Sequence, residues 1–129
     1  MQRLWTLLIA ALLLAAPPAT PKAGLDTTAI PTESAYQLVV LEAEGCIYCH
    51  LFRRDVLPGF AASEQGRQLP VRFLDINAVS DAHLDLQTPV DIVPTFIVVK
   101  NNKEVGRIPG YVGPENFYHS ISYLLSSAS

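Results

Sequence analysis

The stretch Cys46-Ile47-Tyr48-Cys49-His50 constrains this chain more than any other, because it holds both cysteines of the 129-residue sequence, three positions apart. A disulfide that restrains unfolding gains most by closing a long loop, and this one would close almost none. The pair therefore calls for a chemical explanation. C-x-x-C-H fits two chemistries: covalent attachment of a c-type haem with an axial histidine, and a dithiol that makes and breaks disulfides. Zinc is a third, with Cys46, Cys49, His50 and His83 as candidate ligands. Adjacent Cys49 and His50 on one helix would point roughly 100° apart, which suits a tetrahedral ion poorly.

The surrounding pattern decides among these. Tyr36 to Ala43, YQLVVLEA, is β-branched and apolar enough for a buried strand, and Gly45 breaks it. A helix follows from about Cys46, with Tyr48, Leu51, Phe52, Val56 and Phe60 at helical spacing. Arg53, Arg54 and Asp55 between them read as its solvated face, and Pro58 should kink or end it. Pro70 to Ile76 is a second strand and Val79 to Leu86 a short helix. Thr95 to Lys100 is a third strand, Asn101-Asn102-Lys103 a tight turn and Glu104 to Ile108 the returning strand. Pro114 can start a last helix, Glu115 to about Leu125, in which Phe117, Ile121, Tyr123 and Leu124 are the apolar residues. The order is β-α-β-α-β-β-α. A helical crossover makes the first two strands parallel and the turn makes the last two antiparallel. The expectation is an α/β fold with a mixed central sheet of about four strands flanked by helices.

A c-type haem normally needs a second axial ligand, methionine or histidine. Met1 is the sole methionine, and His83 and His119 read as surface positions. The strands also run against a helical cytochrome, so the dithiol reading is preferred. In it Cys46 stands where a strand ends and a helix begins. Its sulfur faces the unpaired N–H groups of the first turn and the positive end of the helix dipole, which favours thiolate and lowers its pKa below the free value. Cys49 lies one turn later on the same side, more buried. Cys46 would attack a substrate disulfide and Cys49 would resolve the mixed disulfide.

At the N-terminus, Met1-Gln2-Arg3 precedes a thirteen-residue apolar run, Leu4 to Ala16, and then Pro17, Pro18 and Pro21. This describes a secretory signal peptide over residues 1–23, with its boundary anywhere from 19 to 23, and an uncleaved N-terminal anchor is the rival reading. The run is short of the about 20 apolar residues a membrane-spanning helix needs. Residues 24–35 read as a mobile lead-in and residues 36–129 as the domain. The leader would take Arg3 and Lys22 with it, leaving seven basic against twelve acidic residues and a net charge of −5. The charges are scattered, which argues against nucleic acid or an anionic membrane surface as partners. A short leader of this Gram-negative-like form makes the periplasm the expected location.

The segment VVLEAEGCIYCHLFRRDVLPGF, followed some forty residues later by DIVPTFIVV, resembles the thioredoxin superfamily over residues 36–125. The stretch EGCIYCHLFRRDV within the first segment is similar to the small periplasmic thioredoxin-like reductases of bacterial sulfur-oxidation (Sox) gene clusters. The resemblance implies a thioredoxin-like fold and a thiol-disulfide oxidoreductase that works through one dithiol, with no cofactor and no metal. It implies that Pro94 is cis and lies against the dithiol, that Val93 offers its backbone to a substrate peptide, and that Thr95 and Gly110 flank the same groove. It also implies a monomer whose partners are a periplasmic protein with a reactive cysteine or disulfide and a membrane thiol electron donor. There are departures from the family pattern. The buried acid six residues before the first cysteine is Val40, which leaves Glu42 or Glu44 to assist proton transfer to Cys49, or neither if both are solvated loop acids. Gly45 replaces a common tryptophan. Ile47-Tyr48 matches no subgroup's dipeptide, although Tyr48 is closest to that of glutaredoxins, so no redox potential carries over. His50 either modulates Cys46 or is a bystander, and the second is preferred. A redox-inactive binding module of the same fold is the remaining alternative.

Overall fold

A computed structural model describes residues 36–128. The expected signal peptide, 1–23, and lead-in, 24–35, lie outside them. Among the described residues no helix is long and apolar enough to cross a membrane.

Strand β1 is Tyr36–Glu42, and its middle four residues are completely buried. A strand buried on both faces reads as an unbroken apolar run rather than an alternation, which is why LVVL marks the centre of the sheet. Three short helices follow, α1 (Ile47–Asp55), α2 (Leu57–Ala62) and α3 (Glu64–Gln68). The expected single helix is broken at Val56, just before Pro58, whose ring is tolerated in the first turn of α2. Ser63 then caps α3 by accepting from Gly66 N at 3.0 Å.

Strand β2 is Val71–Asp75, β3 is Thr95–Lys100 and β4 is Lys103–Pro109. The sheet order is β2-β1-β3-β4. As the pattern implies, β1 and β2 are parallel and β3 and β4 antiparallel. Asn101 and Asn102 both take positive φ (52° and 64°) in the β3–β4 turn, a conformation asparagine tolerates better than most residues. The final helix, α4, is Pro114–Ser127.

The two faces of the sheet differ. Phe52, Phe60, Phe117 and Ile121, from α1, α2 and α4, and Val56 at the α1–α2 junction pack on Leu38, Val40, Phe96 and Val98. The Phe117 ring lies 5.1 Å from both Phe52 and Phe96 and 5.3 Å from Phe60. The other face, Val39, Leu41, Ile97 and Val99, is covered by Leu74, Val79, Leu84, Leu86 and Val90. The short helix expected at Val79 to Leu86 is a 3-10 helix at Ile76–Ala82. It begins earlier because the Asp75 carboxylate accepts from Asn77 N at 2.7 Å, and it ends at His83, whose φ is +52°. Residues 84–90 cover the rest of this face as irregular chain.

Candidate active site

The register sets where the chemistry lies. Leu41 of β1 pairs with Thr95 of β3, and Thr95 pairs with Pro109 of β4. The loop after β1, the residues before β3 and the loop after β4 therefore leave the sheet at one end. They carry Cys46, Pro94 and Gly110 respectively.

Gly45 makes the turn after β1 with φ +73°, in the left-handed region where a tryptophan would be strained. Cys46 follows as the N-cap of α1, in extended conformation, and its Sγ accepts from Cys49 N at 3.2 Å. A sulfur in this place takes the role usually given to a serine or aspartate oxygen. Cys46 and Cys49 form a disulfide with 5.3 Å between their Cα atoms. Cys49 is 4% exposed, whereas Cys46 is half-buried. The first turn of α1 holds no acidic residue to oppose a negative sulfur.

A pocket of about 350 Å³ opens beside the disulfide, lined by Glu42, Cys46, Cys49, His50, Arg53 and Asp75 among others. Glu44 also lines it, and both Glu44 and His50 are exposed. Glu42 is not a free loop acid. Arg53 grips it with a two-point fork, Nε to Oε2 at 3.0 Å and Nη2 to Oε1 at 2.7 Å. The Arg53 guanidinium also stacks 3.5 Å over the Phe73 ring. The solvated face expected of Arg53-Arg54-Asp55 thus needs correction at Arg53, while Arg54 and Asp55 pair with each other in solvent. The sequence hid this because Glu42 and Arg53 are eleven positions apart on different elements. Among the described residues no group of three or more His, Cys, Asp or Glu is placed to hold a metal ion.

The Val93–Pro94 peptide is cis, the isomer the resemblance implied. Pro94 is buried and Val93 half-buried. Thr95 Oγ1 donates to Ile92 O at 2.6 Å, and Gly110 N donates to Pro94 O at 2.8 Å. Gly110, at φ +78°, can make that contact and still turn the chain away. Tyr111 next to it sets its ring edge-on to Phe52 at 6.2 Å, which ties this loop to α1. Burial pushes the Tyr111 phenol above its ordinary pKa, with the nearby Asp55 charge adding to the effect.

Of the five large exposed apolar residues among the described ones, Ile47 (67%), Tyr48 (54%), Ile92 (49%) and Val112 (81%) belong to the three segments that leave this end of the sheet, and Tyr123 lies on α4. Tyr48 was expected on the apolar stripe of its helix; it faces solvent because it occupies the first turn, ahead of the packed part of α1. Ile92 and Val112 were not singled out by sequence, since nothing in a loop's letters separates an exposed apolar residue from a buried one.

The sequence matches, over residues 24–125, the family model described as a thioredoxin-like domain. The periplasmic thioredoxin SoxS from Paracoccus pantotrophus, in its reduced form, is similar with a TM-score of 0.70 and 30% identity, over 73% of this chain and 99% of that one. Trxlp from Edwardsiella tarda EIB202 is similar at 0.54 and 28% identity, over 68% of this chain and 82% of its own. Fasciola hepatica thioredoxin shares the fold at 0.51 and 20% identity, over 68% of this chain and 79% of its own. No curated sequence matches significantly.

Proposed function

This chain belongs to the thioredoxin-like domain family and carries a C-x-x-C disulfide at the start of α1, and from that premise we propose that it is an exported reductase of a periplasmic partner protein. The Cys46 thiolate attacks a disulfide, or a cysteine-bound mixed disulfide, on the partner. A bond forms between Cys46 Sγ and the partner sulfur, and the second sulfur leaves with a proton. Cys49 then loses its proton and attacks Cys46 Sγ. The partner departs reduced by two electrons, and the Cys46–Cys49 disulfide remains. A thiol donor in the membrane returns the pair to the dithiol. Val93 receives the partner's backbone beside Pro94, Thr95 and Gly110 bound the groove, and the apolar rim of Ile47, Tyr48, Ile92 and Val112 excludes water around the reacting sulfurs.

The observation that carries this reading is the inequality of the two sulfurs. Cys46 is accessible and sits where helix N–H groups favour thiolate; Cys49 is shielded and one turn away, so it meets Cys46 rather than outside thiols. The thirteen-residue apolar leader and the likeness to a periplasmic thioredoxin support export. Glu42, Glu44 and Asp75 are the acids that line the pocket with Cys49; Arg53 holds Glu42, which leaves Glu44 as the freer of the two glutamates to take the Cys49 proton, and His50 is a bystander.

The test is a trapping experiment. Tagged Cys49→Ser protein, secreted by its own leader in a Gram-negative host, should accumulate a reducible mixed disulfide between Cys46 and one periplasmic cysteine, identified by mass spectrometry. Absence of any cysteine-linked partner, or trapping through cytoplasmic proteins alone, overturns the assignment.

A further inference from the structure

Glu104 and Arg107 lie three apart on β4, and regular alternation would send their side chains to opposite faces of the sheet. They lie on the same face. Gly106 opposes Val98 and Glu104 opposes Val99, so Val105 is an extra residue and the register shifts there. A bulge of this kind re-aims one side chain relative to the next. Arg107 opposes Ile97, and Ile97 and Val99 both belong to the second core. Glu104 and Arg107 are thereby brought together over the irregular 84–90 segment.

Their contacts leave little spare capacity. Glu104 is 4% exposed and is the one charged residue in the buried set of described residues. Its carboxylate accepts from Arg107 Nε at 2.6 Å, from Arg107 Nη2, and from Gln87 N at 2.8 Å. Arg107 turns its other donors on chain carbonyls, Thr88 O at 2.8 Å and Pro89 O at 3.2 Å. Upstream, Glu104 N donates to Asp85 O at 2.9 Å. Downstream, only Val90 to Val93 separate this stitching from cis Pro94, where the Thr95 hydroxyl and Gly110 N hold the chain again. A buried ion pair is a poor source of net stability compared with apolar packing of the same volume. What a planar guanidinium offers instead is direction, several fixed donors aimed at chosen acceptors.

We propose that Glu104 and Arg107 are positioning residues for substrate: they clamp Gln87–Pro89 and so fix the Ile92–Val93 backbone edge on which a protein disulfide is bound. This rests on the reading of Val93 as the substrate-binding edge. The clamp touches neither sulfur, so it governs binding of a protein substrate and leaves the dithiol's own chemistry alone.

The experiment compares the full chain with Arg107→Lys and Glu104→Gln on two probes, insulin and the small disulfide dithiobis(nitrobenzoate). Arg107→Lys keeps a cation against Glu104 but cannot reach both carbonyls, and it carries the test if Glu104→Gln fails to fold. The expected result is a KM for insulin raised roughly tenfold, with kcat, the rate on the small disulfide and the redox potential unchanged. Amide hydrogen exchange should quicken over Gln87–Val93 and stay as it was in α1. An unchanged KM for insulin, or equal losses on both probes, overturns the clamp while leaving the oxidoreductase reading intact. A wild-type chain that reduces neither probe overturns both.

Discussion

Cys46 caps α1 with its own sulfur and is half-buried, while Cys49, one turn on, is 4% exposed. Once the disulfide is reduced, the two thiols should react at different rates. Iodoacetamide is expected to modify Cys46 at least roughly tenfold faster than Cys49, because rate follows thiolate fraction and access together. Peptide mapping after a short pulse reads this directly, and equal labelling would contradict the assignment of roles. Glu104 has its own signature. Burial alone would push its carboxyl up, but the Arg107 hydrogen bonds and the Gln87 amide outweigh that and hold its pKa below the ordinary value. A carboxyl depressed in the folded state contributes stability that is fully present above its unfolded pKa and is lost as pH falls through the folded one. Glu104→Gln should therefore cost on the order of 2 kcal/mol at pH 7. The difference from wild type should start to shrink as pH drops past the ordinary glutamate range. Urea unfolding across pH 7 to 3 checks this, and a gap that widens in acid would refute it.

The elements are held by contacts of different kinds, and this decides which were legible in the sequence. Strands β1 and β3 were readable to within a residue because LVVL and TFIVVK are apolar runs that only a doubly covered strand can bury. The β3–β4 turn was readable because Asn101 and Asn102 tolerate the positive φ it needs. The second half of the first helical stretch was not readable, since GFAASEQGRQL has few apolar residues and no period. There the structure depends on one close approach. A Cβ on Gly66 would stand 1.9 Å from Phe60 O, so α3 folds back on α2 only with glycine at that place. Gly66→Ala, favourable in an isolated helix, should destabilise the protein by about 2 kcal/mol or more through overpacking. The contrasting case is Phe117 in α4, buried among four other rings, where Phe117→Ala should cost about 3–5 kcal/mol. Thermal or urea unfolding ranks the two. The Glu104–Arg107 pairing was invisible for another reason: their spacing argues for opposite faces, and the Val105 bulge that reverses this has no mark in the letters. At the candidate site the residues pointed to the dithiol and the family resemblance to Pro94 and Gly110, which lie at the same end of the sheet, but neither could show that Arg53 takes up Glu42.

At the scale of the whole molecule, a four-stranded sheet brings three loops to one end and places a positive-φ glycine turn, a helix N-terminus and a cis peptide there together. None of the three would do redox chemistry alone. In the proposed reaction the helix end would favour the thiolate, the buried second cysteine would limit how long a mixed disulfide survives, and the Ile92–Pro94 backbone would give a protein substrate an edge to pair with. The disulfide closes too short a loop to be needed for the fold, so its reduction should leave far-UV circular dichroism unchanged and lower the unfolding midpoint by only a few degrees. Collapse of the spectrum on reduction would return the pair to a structural role. The most direct measurement of the central claim is thiol exchange with insulin, using reduced wild-type protein, Cys46→Ser and Cys49→Ser, with thiols counted against time. The account expects wild type to pass two electrons per molecule and end as the Cys46–Cys49 disulfide, Cys46→Ser to be inert, and Cys49→Ser to stop at a mixed disulfide on Cys46. Reduction of insulin by Cys46→Ser at the wild-type rate, or no exchange by wild type, would contradict it.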